Sequence, residues 1–420
     1  MSVYDKLMQS KISSFFLLVV IFLLSISREL FIIAIWPWIF FLLLESLLTK
    51  WSQWSGLKTV PVTVFLLPGL FLLLLISLLW TKNQSEGWNH IGRSALMIIL
   101  PILLGFDKTL ASDKRRIQNL LKSYVFGALV SLLFLIIYAL ICSLSFSGGR
   151  IEINPHISDW EHAFFYNNFS FLIHPTYYGM MVLMAAVICL NEVRKNNLFS
   201  GSPLWPALLG ASFISSLFLI SSRIMILASV IVIAWFLFVK IPDKRIRLGS
   251  VIAVLVTLVF FASLHPRFGN FRELLREQNI SVSYFRLLKE SDRGKAWQTS
   301  FSLVKEYPIL GLGIGDVKDS LSRLYMEEEY FDESQNYLNC HNQFLETWLG
   351  VGILGPLFLI IILVYPLLTS QYNNPYLYWS FFLISLTGFL SESLLNRLWG
   401  VAFFSVFYIL LTTGIRTSST

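Results

Sequence analysis

The chain alternates between long apolar runs and short polar segments. A helix needs about 20 apolar residues to cross the hydrocarbon core of a bilayer. Twelve runs qualify, some of them only marginally, so the pattern predicts about twelve transmembrane helices. They lie near residues 12–27, 30–48, 60–80, 91–106, 121–143, 171–190, 203–220, 224–239, 247–264, 343–368, 375–390 and 397–415.

One polar segment, residues 265–340, is much longer than the others. The pattern therefore predicts an all-α polytopic membrane protein with one long, partly helical loop between spans 9 and 10. In this division residues 1–264 carry spans 1–9, and residues 341–420 carry spans 10–12. The N-terminal apolar run follows two lysines and lacks a small-residue cleavage site, so we expect an uncleaved first helix.

Basic residues orient the predicted helices. With both termini in the cytoplasm, sixteen Lys and Arg lie on the cytoplasmic side, against six in the outward loops and span ends. The ten in 265–340 do not decide the orientation, because long loops translocate largely regardless of charge. Basic clusters on both sides of 203–239 require this apolar stretch to turn back, which we expect at Ser221–Arg223. The long loop is then outward.

Composition agrees with a membrane protein. The chain is 55% hydrophobic and 14% charged, whereas a soluble domain carries about 25% charged residues. The net charge of +7 reflects loop lysines and arginines and does not indicate nucleic-acid binding. The three cysteines form no CxxC pair, so neither a disulfide framework nor a thiolate metal site is expected.

Four candidate residues fall on the outward face: His174, Arg223, Arg293 and His341. Each has an ordinary alternative. A histidine at a helix end often serves packing at the interface, an arginine there often extends to headgroups, and charged loop residues are usually solvated. Together, however, they supply cations and a base at one membrane surface.

The position of His341 adds chemistry. If a helix starts near Asn342, its N-terminal N–H groups and positive dipole end favour an anionic ligand such as a phosphate. Nearby positive charge also favours a neutral imidazole, which can accept a proton from a hydroxyl. Glu346, one turn into the helix, either orients the ring or is a buried carboxylate paired with another polar group.

Other motifs indicate structure. In "GLGIGD" (Gly311–Asp316) we expect the glycines to form a tight turn, because the βαβ context of a nucleotide-binding loop is missing. The acidic run Met326–Glu333 is typical of a solvated face. His156 and His162, with the acidic residues between them, lack the HExxH pattern of a zinc site. Glu392 and Arg397 either pair with each other, which we favour, or contact a polar substrate.

Several segments resemble the O-antigen ligase/polymerase family of bacterial glycosyltransferases. "HNQFLETWLGVGILG" follows the long loop, and "RGKAWQTSFSLVKEYPILGLGIGDV" (Arg293–Val317) is similar to the family's Arg…Trp…Pro…GxGxG pattern. "SSRIMILAS" (Ser221–Ser229) is similar to its Ser-Arg span entrance. "HPTYYGMMV" (His174–Val182) resembles variants in Bacteroidetes-like members. The matched motifs cover roughly the second half of the chain, and the first five spans match by hydropathy only.

The resemblance implies an enzyme of the bacterial inner membrane whose long loop is periplasmic. Family members move a glycan from undecaprenyl pyrophosphate to an acceptor hydroxyl, without a nucleotide sugar, cofactor or metal. His341 would be the catalytic base, and Arg223 and Arg293 would hold the pyrophosphate. His174, Asn342 and Glu346 would support them. The partners implied are the lipid-linked donor, a lipid A–core or glycan acceptor, and the bilayer.

Several alternatives stay open. An O-antigen ligase uses lipid A–core as acceptor, whereas a polymerase uses another lipid-linked repeat unit, and the His-Asn entrance favours the ligase slightly. Protein O-glycosylation is a third acceptor choice. A secondary transporter is the main alternative of another class, but such folds show repeated halves around a midplane site. Here the polar groups gather at one surface.

Overall fold

In the computed structural model the described residues are 12–52, 54–147, 150–156, 162–193, 202–250, 252, 256 and 291–413, and most of them are helical. The helices are α1 Ile12–Leu23, α2 Arg28–Leu48, α3 Thr63–Ile76, α4 Gln84–Ser94, α5 Leu96–Gly105, α6 Lys108–Ser112, α7 Lys114–Ser143, α8 Tyr166–Phe169, α9 Pro175–Glu192, α10 Leu204–Ile220, α11 Arg223–Lys240, α12 Asp292–Glu306, α13 Val317–Glu327, α14 Phe331–Gln335, α15 Gln343–Val351, α16 Leu354–Leu368, α17 Pro375–Ser391 and α18 Leu398–Thr412. Short 3₁₀ turns cover Leu57–Thr59, Ser77–Leu79 and Leu394–Asn396.

A small hairpin follows α7. Strand β1 (Leu144–Ser147) pairs antiparallel with β2 (Arg150–Ile153), with Leu144 opposite Ile153 and Ser147 opposite Arg150. The hairpin lies between the predicted spans 121–143 and 171–190, in a segment rich in polar and aromatic residues.

The predicted spans coincide largely with helices. Among the described residues, three helical stretches are long and apolar enough to cross a bilayer: α2, the consecutive helices α4 and α5 (Gln84–Gly105), and α7. Several shorter apolar helices of 10–17 residues accompany them. The number twelve stays a prediction, and most of the predicted ninth span (247–264) lies outside the described residues, as does 265–290.

The predicted tenth span, 343–368, is wrong as a single helix. It is two helices, α15 and α16, separated at Gly352, whose φ is +74°. A side chain at Gly352 would collide with the Ile309 carbonyl, so this close approach requires glycine. The apolar pattern runs through the break without interruption, which is why hydropathy missed it.

Helices α9 and α18 form the centre of the bundle. Both are buried on nearly every face, which matches sequences that are apolar all round. By contrast, α2 and α7 present many exposed apolar side chains, as expected of helices that face lipid. A second, smaller apolar cluster lies outside the main bundle and joins α12 and α13 to α15 through Ala296, Leu321, Cys340 and Leu349.

Local sequence sets the starts of α17 and α9. α17 begins at Pro375 after Asn374, whose side chain accepts hydrogen bonds from the N–H groups of Tyr376 and Leu377. α9 begins the same way, with Pro175 after His174. Proline at the first helical position has the φ that a helix needs, and its missing N–H would have had no helical partner.

Candidate active site

His341 lies in the turn before α15 with a φ of 44°, in the left-handed region. Such a conformation costs a non-glycine residue about 1–2 kcal/mol, so other contacts must hold it. The His341 N–H donates to Asn339 Oδ1 at 2.9 Å, and the Trp297 indole N–H donates to the His341 carbonyl at 3.4 Å. The turn brings the imidazole to the end of α17.

One carboxylate joins His341 to Arg293. Glu392 follows α17 directly, and its Oε2 lies 3.0 Å from His341 Nδ1. Its other oxygen, Oε1, accepts from Arg293 Nη2 at 2.7 Å. The Glu392 side chain is only 8% exposed, whereas those of Arg293 and His341 are 41% and 22% exposed. The buried carboxylate therefore links two partly exposed groups.

The electrostatics of this triad favour an ionised carboxylate. Burial on its own would raise the pKa of Glu392. The hydrogen bond from His341 and the charges of His341 and Arg293 outweigh burial and hold the pKa below its ordinary value of 4.5. Two cationic or donor partners thus compensate the cost of burying the charge.

The ionised carboxylate also selects the histidine tautomer. A carboxylate only accepts hydrogen bonds, so His341 Nδ1 must carry the hydrogen that it donates to Glu392. In the neutral ring, Nε2 then holds the free lone pair. No hydrogen bond within the described part of the chain reaches that atom, and the partly exposed ring can accept a proton there.

His174 lies at the same end of the bundle. It is the N-cap residue of α9, and its Nδ1 accepts from the Thr176 N–H at 3.4 Å. The charged and titratable groups that act on its ring across space are Glu392, Arg397, His341 and Arg293. The structure therefore brings His174 near the triad without a direct hydrogen bond to it.

Arg223 is the first residue of α11 and is exposed. Helix α11 packs against both α9 and α17. Met225, two residues after Arg223, lies beside Gly179 of α9. Gly388 of α17 lies beside Met180 of α9. Arg223 therefore lies at the same end of these three helices as His174 and Glu392. The turn at Ser221–Arg223 predicted from the basic clusters coincides with the end of α10 at Ile220.

The N-terminus of α15 differs from the sequence expectation. The side chain of Asn342 caps the helix, and its Oδ1 accepts from the N–H groups of Phe344 and Leu345 at 2.9 and 3.1 Å. These two N–H groups are thus already paired with protein. The helix end that the sequence suggested as a phosphate site therefore has fewer free N–H donors than expected. An anion at this surface would be bound mainly by cationic side chains.

Glu346 is buried and does not contact the His341 ring. Its Oε2 accepts from the Cys340 N–H at 3.1 Å and from the Ser393 hydroxyl at 3.0 Å. Of the two sequence interpretations, the geometry agrees with the buried carboxylate paired with polar groups. The carboxylate on the ring is Glu392.

Glu392 is the residue that sequence reasoning missed. The expected Glu392–Arg397 pair is wrong, because both Glu392 oxygens bind Arg293 and His341. Arg397 is exposed instead. An acidic residue directly after an apolar helix, at the same predicted surface as the candidate cations, was the available signal.

The glycine-rich loop Gly311–Asp316 ties the outward segment to the bundle. Gly313 has a φ of +96°, and a side chain there would lie 2.5 Å from Thr81 Oγ1. Asp316 accepts from the N–H groups of Lys82 and Asn83, both at 2.7 Å. The tight-turn interpretation of these glycines is confirmed, and Asp316 ties the loop to the segment before α4.

The histidines considered as metal ligands lie away from this arrangement. His156 and His162 face each other with ring centroids 5.1 Å apart, while the acidic residues 159 and 161 lie outside the described residues. Among the described residues, no group of three or more His, Cys, Asp or Glu side chains converges as a metal site would require.

Comparison with known proteins locates the relationship in the same region. Residues 207–361 match the family model described as O-antigen ligase, a range that includes Arg223, Arg293 and His341 but neither His174 nor Glu392. The chain is also similar to an uncharacterized protein of Haemophilus influenzae, 23% identical over 145 residues. That match covers 33% of this chain and 35% of the relative. The family resemblance is thereby confirmed, and with the apolar helices it supports a multi-pass membrane protein.

Proposed function

We propose that this protein is a glycosyltransferase of the bacterial inner membrane. The match of residues 207–361 to the O-antigen ligase family model supports the proposal. The enzyme moves a glycan from undecaprenyl pyrophosphate to an acceptor hydroxyl on the periplasmic face. Both termini are cytoplasmic, and the long loop is periplasmic. The reaction needs no nucleotide sugar, metal or cofactor.

The observation that carries the proposal is the Arg293–Glu392–His341 triad. A histidine with an ionised carboxylate on Nδ1 is oriented to accept a proton at Nε2, and the carboxylate stabilises the imidazolium that forms. The guanidinium of Arg293 has five N–H donors, of which Glu392 uses one. Base and cation are therefore held by the same buried side chain.

In the proposed reaction, His341 Nε2 removes the proton of the acceptor hydroxyl as its oxygen attacks the anomeric carbon of the donor glycan. The bond from that carbon to the pyrophosphate oxygen breaks, and its electrons remain on undecaprenyl pyrophosphate. Arg223 and Arg293 bind the departing anion, whose negative charge increases in the transition state. Direct displacement inverts the anomeric centre.

The remaining predicted residues have supporting roles. His174 lies close enough to interact electrostatically with the triad. Its role is to position the lipid-linked glycan donor. Asn342 caps α15 and so holds the turn that contains His341. Glu346 braces the same turn through the Cys340 N–H.

We favour lipid A–core as the acceptor, which makes the protein an O-antigen ligase. A polymerase acting on a second lipid-linked repeat unit is the alternative within the family, and a protein hydroxyl is a further one. The concentration of polar groups at one end of α9, α11 and α17 argues against a transporter, whose site would lie near the middle of the membrane.

The test begins with His341→Ala, Arg223→Ala and Arg293→Ala in a deletion strain, with surface glycolipids separated by electrophoresis. We expect each variant to insert normally and to lose transfer. His156→Ala and Arg323→Ala are matched controls, because both residues are exposed and neither contacts the triad. Normal transfer by a site variant would remove that residue from the mechanism.

The deletion strain itself separates the acceptors. Loss of the whole ladder, with lipid-linked polymer accumulating, indicates a ligase. Retention of a single repeat on the core indicates a polymerase. A glycolipid pattern unchanged by the deletion would contradict the proposed glycan transfer.

A further inference from the structure

The short turn after Glu392 is bound by the helix that follows His341. Gln343 is the first residue of α15, and its Oε1 accepts from the Leu395 N–H at 2.6 Å. The Gln343 side chain is 1% exposed. A buried backbone N–H needs a partner, and the 3₁₀ geometry of Leu394–Asn396 does not supply one to Leu395. Gln343 thus holds the turn from inside the protein.

Glu346 binds the same turn one helical turn later. Its Oε2 accepts from the Ser393 hydroxyl at 3.0 Å, and the same oxygen accepts from the Cys340 N–H. Ser393 is adjacent to Glu392, and Cys340 is adjacent to His341. One buried carboxylate oxygen therefore ties together the immediate neighbours of the two groups that form the catalytic hydrogen bond.

A small cavity borders this turn, lined by the polar side chains of His90, Gln343, Glu346, Thr347 and Asn396 together with apolar side chains. On the far side of the turn, His90 Nε2 lies 3.3 Å from Asn396 Oδ1. Where van der Waals contacts are incomplete, directional hydrogen bonds decide the position of the backbone.

From these contacts we infer that Gln343 and Glu346 are positioning residues that clamp the turn after Glu392 and so hold its carboxylate against His341. The inference rests on the proposed function for its catalytic meaning. Neither side chain touches the ring; both act through Glu392. Among the charged and titratable groups around this contact, Arg293 binds the Glu392 carboxylate directly. His174 and Arg397 lie near enough for through-space electrostatic interaction, and Glu346 binds the adjacent Ser393.

The clamp is tested by Gln343→Leu, which keeps the approximate volume but removes the acceptor for the Leu395 N–H. We expect kcat for glycan transfer to fall about 10- to 100-fold, since displacement of a catalytic group by about 1 Å can cost 10²-fold. KM should change little, because the substrate contacts are intact. Gln343→Glu keeps an acceptor oxygen and should restore most of the rate. Ser393→Ala, which removes one bond to Glu346, should give a smaller loss of the same kind.

Thr347→Val is the matched control. Thr347 is buried on the same helix and lines the same small cavity, but its hydroxyl donates within α15 to the carbonyls of Gln343 and Phe344. Its replacement by valine therefore leaves the bonds of Gln343 and Glu346 to the turn intact. A loss of rate in Thr347→Val equal to that in Gln343→Leu would mean that any damage to α15 suffices, and would overturn the clamp.

A second measurement does not depend on transfer. Diethyl pyrocarbonate reacts with an imidazole nitrogen that carries a free lone pair, and mass spectrometry of the His341 peptide gives the rate of modification at neutral pH. Removing the Glu392 carboxylate from Nδ1 changes which ring nitrogen is available, so the rate in Gln343→Leu should depart from the wild-type rate in the same direction as in Glu392→Gln. A rate equal to that of Thr347→Val would refute the inference. If the wild-type protein has no transfer activity and the rates still depart in this way, the clamp is supported and the proposed function is refuted.

Discussion

Replacing Glu392 by Gln gives the most direct test of the triad. The substitution keeps the shape of the side chain but removes its charge, at a position 8% exposed and bound to two partners. An amide cannot stabilise an imidazolium as a carboxylate does. Its nitrogen can also donate to His341 Nδ1, which would move the ring hydrogen to Nε2 and block proton acceptance there.

The magnitude follows from the 3.0 Å contact between Glu392 and His341. A hydrogen bond between charged groups contributes about 1.5–3 kcal/mol. At about 1.36 kcal/mol per tenfold, its loss from the transition state lowers kcat about 10- to 160-fold. If the tautomer also changes, the loss approaches the roughly 10⁴-fold seen when the orienting aspartate of a serine protease becomes asparagine.

The assay is the initial rate of transfer by purified protein in liposomes, with lipid-linked glycan donor and glycolipid acceptor, between pH 5.5 and 8.5. Glu333→Gln is the matched control. Glu333 is also a buried carboxylate, 3% exposed and paired with Lys295 at 2.5 Å, but it does not touch His341. Equal transfer rates of the Glu392→Gln and Glu333→Gln variants across this pH range would refute the role of the Glu392 carboxylate.

Two further predictions concern stability. Gly313→Ala should lower the free energy of unfolding by about 2 kcal/mol or more, because the left-handed φ and the contact with Thr81 both oppose a side chain. The measurement is thermal unfolding in detergent. Gly92→Ala is the control: a side chain there would meet open space on α4, so the substitution should be neutral or slightly stabilising. The lowered pKa of Glu392 adds stability that is present above the ordinary value of 4.5 and is lost as pH falls through the lower folded value. Melting temperatures between pH 6 and 3 should therefore fall less steeply for Glu392→Gln than for the wild type, and equal slopes would contradict the ionised triad.

Hydropathy located most helices because membrane-facing sequence is a local property. The predicted run 375–390 is α17, Pro375–Ser391, and the predicted run 224–239 is α11, Arg223–Lys240. Hydropathy did not reveal the break at Gly352, because apolar residues continue on both sides of it. The approach of the Ile309 carbonyl explains why the residue at the break must be glycine.

The sequence by itself determined the helical class and the residue types suited to base and cation chemistry, and it predicts that His341, Arg293 and Arg223 lie on the outward face. These follow from composition, charge distribution and spacing along the chain. Tertiary structure alone decided that Glu392 binds both His341, 51 positions away, and Arg293, 99 positions away. A hydrogen bond at such separation depends on how helices pack, and neither residue pattern nor hydropathy encodes which carboxylate reaches the ring.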